Sequence, residues 1–213
     1  MENSKHKIVR NILRNSLKVK DKIFGKPFPK MERVKQISSS HCGPAVLTSL
    51  FSFLGVKTSQ RRITNSIRAQ NKIKKFGLSV QDMAKAAKVY GQAGKFVFWK
   101  KANSTIKDLD TIVNKYKFPV GVEWQGVFYE DEDEDSGHYS IVTEVNTKKG
   151  YLRIADPYRK FVGLDREFTT KVFLKRWWDT NIINKKEVYD RRVMFIIAPK
   201  VETFPKKLGM VRA

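Results

Sequence analysis

The chain's sole cysteine, Cys42, stands in the run KQISSSHCGPAVLTSLFSFLG, residues 35–55. Pro44 suits the first turn of a helix, where its missing N–H would have no partner anyway. Gly43 lets neighbouring backbone approach closely. Cys42 is therefore expected at the positive end of a helix over about 43–54, where the dipole favours thiolate over thiol. A free cysteine is also commonly just a small buried residue, but a place at a helix start favours a nucleophile. A thiolate nucleophile needs a proton carrier, and the chain holds three histidines. His6 lies in an N-terminal extension, and His41 is adjacent to Cys42, where side chains point apart. His138 begins a strand after a long polar loop, a position from which functional groups are presented on a rigid sheet. Asp156, in IADPY, closes the strand that a turn pairs with that of His138. A three-residue loop centred on Lys149 puts the two on one sheet face, a few residues apart, so a bend or bulge has to close the gap. An Asp-Pro pair is also a common way to start a turn.

The elements that must position these groups follow from periodicity. The helix after Cys42 is apolar nearly all round and stops at Gly55. Further helices are expected at about 59–70 and 80–90, the second capped by Ser79 and Asp82, and at 105–116. KFVFWK, FPVGVEWQ, HYSIVTEV and YLRIADP read as strands, the last two joined by NTKKG. A helix beginning at Thr169 or Thr170 carries Phe173, Trp177 and Trp178, and RRVMFIIAP is a closing strand. Helices gather early and antiparallel strands late, an α+β pattern and not a parallel βαβ one. Residues 5–24 space Ile8, Val9, Ile12, Leu13, Leu17 and Phe24 as the apolar stripe of a basic amphipathic helix, broken by GKPFPK at 25–30. The chain thus divides into that helix and Pro-rich linker (1–30), a main domain (31–200) and a basic tail (201–213).

The formal charge is +22, and before residue 36 eleven basic residues face three acidic ones. Such a balance fits an anionic membrane surface or nucleic acid as partner of the basic N-terminus, but zinc-finger spacing, RNP-type aromatics, Walker loops and GxGxxG are all missing. One cysteine excludes an internal disulfide framework and fits a reducing interior. With neither a signal-peptide stretch nor a transmembrane segment, the expected location is cytoplasmic, with membrane-surface association open. Neither cofactor nor metal is implied. The acidic run Glu130–Asp135 lacks the glycine and terminal glutamate of an EF-hand; it reads as a solvated loop or as an acidic rim that attracts basic peptides and raises the His138 pKa.

Gln36, five residues, Cys42-Gly43-Pro44 with its apolar helix, then Gly137-His138-Tyr139 on a strand and Asp156-Pro157 after the next, resemble the peptidase C39 family. The likeness covers about 33–200, including FLKRWW and the closing strand. It implies a papain-like fold and a cysteine peptidase acting on a peptide or protein substrate. By the same likeness Cys42 is the nucleophile, His138 the general base and acid, Asp156 its orienter and Gln36 an oxyanion-hole donor. The best-known members cleave double-glycine leader peptides at bacteriocin-exporting ABC transporters. This sequence holds neither membrane spans nor an ATPase, which leaves the double-glycine preference open, and His41 stands where the family often has an acidic residue. Two other functions keep the fold: acyl transfer to an amine, as in transglutaminase-like or phytochelatin-synthase-like relatives, and a non-catalytic module binding peptide, nucleic acid or membrane.

Overall fold

The computed structural model describes residues 15–16, 18, 20–22, 25–90, 94–128, 137–183 and 186–213. Helix α1 spans Cys42–Phe53, and everything from Cys42 to Phe51 is buried. Two of its three hydroxyls donate within the helix, Thr48 to the Pro44 carbonyl and Ser52 to that of Ser49, while the Ser49 hydroxyl accepts from the Val34 N–H. Gly55, at φ +73°, ends it in the left-handed region open to glycine. The single helix expected at 59–70 is two, α2 (Gln60–Ser66) and α3 (Gln70–Phe76), because Arg68 adopts φ 54° between them. That break lets Ile63 and Ile73 both reach the core. Helix α4 spans Val80–Tyr90, with Ser79 and Asp82 capping each other as their spacing suggests. Strand β1 is Phe96–Lys101, and α5 (Ile106–Asp110) runs on as a π-helical turn, Thr111–Lys115.

The remaining strands are β2 (Val120–Gln125), β3 (Gly137–Asn146), β4 (Tyr151–Ala155), β5 (Asp165–Thr169), β6 (Trp178–Ile183), β7 (Lys186–Arg191), β8 (Met194–Pro199) and β9 (Val211–Arg212). Six of them and β1 form one antiparallel sheet in the order β5-β4-β3-β2-β8-β1-β9, while β6 and β7 make a separate hairpin. Helix α1 and the helices after it bury one face of the sheet around Phe51, Met83, Ile141 and Phe195. The other face packs Trp99, Trp124, Ile154 and Phe173. This is the expected α+β architecture.

Three elements differ from expectation. Helix α6 spans Thr170–Arg176 and stops before the tryptophans: Trp177 turns into the core and donates to the Val193 carbonyl at 2.9 Å, and Trp178 opens β6. The indole N–H takes a strand carbonyl where the helix would have continued. Strand β5, DREFT, was not expected because its Asp and Arg look solvent-facing; ion pairing buries both. Residues 201–213, set apart above as a tail, form α7 (Phe204–Lys207) and β9 against β1, with Phe204 and Met210 in the core.

Most of the amphipathic stretch 5–24 lies outside the described residues. What is described is helical at 20–22 and tied to the sheet: Lys20 pairs with Glu167 at 3.1 Å and Asp21 lies 3.7 Å from Arg153. Lys26 follows, donating to the Gly163 carbonyl at 2.7 Å.

Candidate active site

The gap between His138 and Asp156 is closed by a bulge in β3. Asn146 pairs with Tyr151 across a four-residue turn, a register that would set Asp156 against Ile141 and on the wrong face. Between Val142 and Glu144 the register slips by one residue, so that Ile141 instead faces Ala155. The next partner of Asp156 is then Ser140, two positions from His138 and on its face. The extra residue, Thr143, is buried and donates to Asp165 at 2.8 Å.

His138 Nε2 meets Asp156 Oδ1 at 2.9 Å, and the Cys42 side chain is close enough to act on the same imidazole. The ring is 2% exposed and takes the edge of Phe128 at 5.0 Å. Burial works against an imidazolium, but the Asp156 carboxylate and, behind it, the Cys42 sulfur outweigh it and hold the His138 pKa well above its ordinary range. Burial likewise works against an ionised Asp156; His138, Arg166 and the Tyr158 N–H overcome it and keep the carboxyl below the usual carboxylate range. Both Asp156 oxygens are occupied: Oδ1 by His138 and by the Tyr158 N–H at 2.9 Å, Oδ2 by Arg166 at 2.6 Å. The result is a buried ion pair with its remaining lone pairs satisfied.

Cys42 is brought here by α1, whose first turn is pressed against the sheet. A Cβ at Gly43 would stand 3.0 Å from the Met83 sulfur and 3.4 Å from the Tyr139 ring, so any side chain there would require Met83 to give way. His41 is not part of the constellation. Its Nδ1 contacts the Ser38 hydroxyl at 2.6 Å, and burial lowers its pKa. Gln36 is buried beside the loop that enters α1, its backbone N–H bound to the Pro157 carbonyl at 2.9 Å. Its amide nitrogen donates to the carbonyls of Ser38 at 2.8 Å and Ser39 at 3.1 Å, while Oε1 has no hydrogen-bond partner among the described residues.

With that geometry in view, the family model described as the Peptidase_C39 like family matches residues 28–182. The chain belongs to that family. Its fold is similar to the peptidase domain of Streptococcus ComA, a bi-functional ABC transporter involved in quorum sensing, with a TM-score of 0.56 at 20% identity over 78% of this chain and 97% of that one. It is also similar to a double glycine motif protease from an AMS/PCAT transporter, solved in complex with the leader peptide, with a TM-score of 0.54 at 15% identity over 82% of this chain and 94% of that one. No curated protein matches the sequence. At the level of the family this is a C39-type cysteine peptidase of papain-like fold.

The site also contains side chains that sequence reasoning missed. Arg166, on β5, was hidden by its own charge; the only signal was a charged triplet, Asp165-Arg166-Glu167, set between Leu164 and Phe168. Glu123 is 1% exposed on β2, opposite Tyr139, whose hydroxyl donates to its Oε1. Nothing in FPVGVEWQ marks that glutamate as buried except the apolar residues around it. The acidic run Glu130–Asp135 lies outside the described residues. Among those described, three or more His, Cys, Asp or Glu residues are nowhere grouped to hold a metal ion, and no helix is long and apolar enough to cross a membrane.

Proposed function

We propose that this C39-family chain hydrolyses peptide bonds through Cys42, His138 and Asp156. The observation that carries the reading is the buried His138, bonded to an ionised Asp156 at 2.9 Å and with the Cys42 sulfur close enough to act on its ring. In the resting site His138 carries the proton, and the nucleophile of this reading is the Cys42 sulfur as thiolate. The sulfur adds to the substrate carbonyl carbon, and the C–N bond breaks as His138 passes its proton to the leaving amine. A thioester on Cys42 remains. Water then attacks it, giving a proton back to His138 and releasing the carboxylic acid. Asp156 fixes the imidazole and stabilises its charged form throughout.

The oxyanion of each tetrahedral intermediate needs donors. The Cys42 N–H lies in the first turn of α1, where the helix offers no acceptor. Gln36 is the second donor in this reading, and it serves only by releasing the Ser38 or the Ser39 carbonyl when substrate enters. The substrate class is a peptide, in line with the leader-peptide complex of the related protease.

The test is a peptidyl vinyl sulfone followed by mass spectrometry of the adduct. The expected result is one label, on Cys42, in the native chain. A native chain left unlabelled by a panel of such peptides, while iodoacetamide still alkylates Cys42, overturns the peptidase reading.

A further inference from the structure

We infer that Arg166 is the positioning residue of this site: its guanidinium fixes the Asp156 carboxylate so that Asp156 can orient His138. The inference rests on the peptidase reading for the roles of His138 and Asp156, and on its own geometry for the rest. Arg166 NH1 donates to Asp156 Oδ2 at 2.6 Å, and NH2 donates to the Val127 carbonyl at 2.7 Å. The residue is 3% exposed, and its guanidinium carbon lies 3.6 Å from the centre of the Phe161 ring and 4.9 Å from that of Phe168. A planar cation held between rings and bonded at two nitrogens has little freedom left, which a lysine at the same place would not reproduce.

The mount is rigid as well. Asp165, next in β5 and pointing to the other face, is fully buried and paired with Arg33 at 2.7 Å and with the bulge residue Thr143 at 2.8 Å. The bulge that puts Asp156 on the face of His138 is thus pinned to the strand that carries Arg166. Charges alternate along the row: guanidinium, carboxylate, imidazolium. Without Arg166, the buried Asp156 would lose one of the cations that hold it ionised against burial, and its protonation would become easier. The acid limb of activity must then move to higher pH, since the active form needs Asp156 ionised.

The experiment compares the full chain with Arg166→Met and Arg166→Lys, reading peptide cleavage and, separately, iodoacetamide alkylation of Cys42 against pH. Expected for Arg166→Met is a kcat lower by on the order of 10- to 100-fold, the loss usual when an outer partner of a site ligand is removed. KM should stay within about threefold, and the acid limbs of both cleavage and alkylation should move up in pH. Arg166→Lys should fall between Met and wild type. Added methylguanidinium should restore part of the Arg166→Met activity and bring its acid limb back. Unchanged acid limbs in both variants, with no rescue, overturn the inference even where kcat falls, because a merely structural role would behave so. If Arg166→Met does not fold, Arg166→Lys with a wild-type acid limb is by itself decisive against it. Alkylation needs no substrate, so a wild-type chain that cleaves no peptide would sink the peptidase reading and leave this test standing.

Discussion

His138 and Tyr139 are successive residues of β3, and each sits in a buried cluster of ionisable side chains. Around His138 the charges alternate: Arg166 neutralises Asp156, and Asp156 neutralises the imidazolium. Around Tyr139 they repeat: Glu123 lies near Asp179 and Asp190, with Asn181 as the bridge between Glu123 and Asp190 at 3.0 Å to each. Burial is nearly complete in both places, yet the outcomes are opposite. Alternation keeps Asp156 ionised below the carboxylate range, whereas burial and like charges push Glu123 up to about 8. Partner sign, not depth, decides which carboxyl is fit to orient a histidine.

The comparison breaks most visibly at its reactive end. Cys42→Ala should abolish peptide cleavage, leaving a rate lower by at least ~10³-fold, while the thermal midpoint moves by only about 2–4 °C, the equivalent of ~1 kcal/mol. His138→Ala should be as damaging to the rate, since the two groups act as one unit. Turnover near the wild-type rate in either variant would refute the roles given to them.

Asp156→Asn sharpens it by separating two effects. An amide oxygen can still accept from the imidazole, so the rate should fall less than in Cys42→Ala. Stability should fall more, by up to ~3–5 kcal/mol, because the substitution breaks the buried ion pairs of Asp156 with Arg166 and His138. Kinetics and urea unfolding of the two variants check this crossing of ranks. A variant that is as stable as wild type would mean that Arg166 finds its balance elsewhere.

Gln36→Ala comes next. An oxyanion donor is typically worth ~2.7–4 kcal/mol of barrier, but Gln36 must give up a carbonyl of the 38–39 turn to act as one. The expected cost is therefore at the low end, about 2.7 kcal/mol or roughly 100-fold in kcat. A raised KM with kcat unchanged would instead make Gln36 a residue that shapes the loop for binding.

How much of this was legible depends on what carries each feature. The Gly-Pro step after Cys42, the apolar helix and the Ser79–Asp82 cap are local, and the sequence states them in its own order. The need for a bulge between His138 and Asp156 could be stated, but its place could not, because Thr143 leaves the ladder for a contact with Asp165 made only in the folded sheet. Strand β5 and Glu123 stayed hidden for a related reason. Hydropathy reads a charged residue as exposed, and only the tertiary partners, Arg33 and Asp156 in the one case and Tyr139 and Asn181 in the other, make these burials affordable. The tryptophans that follow α6 are the opposite case: Trp177 continues the helical apolar pattern, but its N–H is satisfied by Val193 only once the helix has ended.

The smallest effect lies in the second cluster, and its signature is a slope with pH. Glu123 has an ordinary value of 4.5 and a folded value of about 8. Between those limits the folded chain holds a proton that the unfolded chain has released. Stability from this group therefore falls as pH rises through that window and levels off above about 8. Glu123→Gln removes the titration while keeping an oxygen for the Tyr139 hydroxyl. At pH 5 the variant and wild type should melt within about a degree of each other. At pH 8.5 the variant should be the more stable by at least ~1.4 kcal/mol, the worth of one pKa unit, or roughly 3–6 °C. Cleavage at pH 7 should change little, because Glu123 is protonated there and takes no part in the chemistry. Parallel melting curves for the two proteins from pH 5 to 8.5 would show that Glu123 ionises freely, and the contrast between the two sides of β3 would then lose its electrostatic basis.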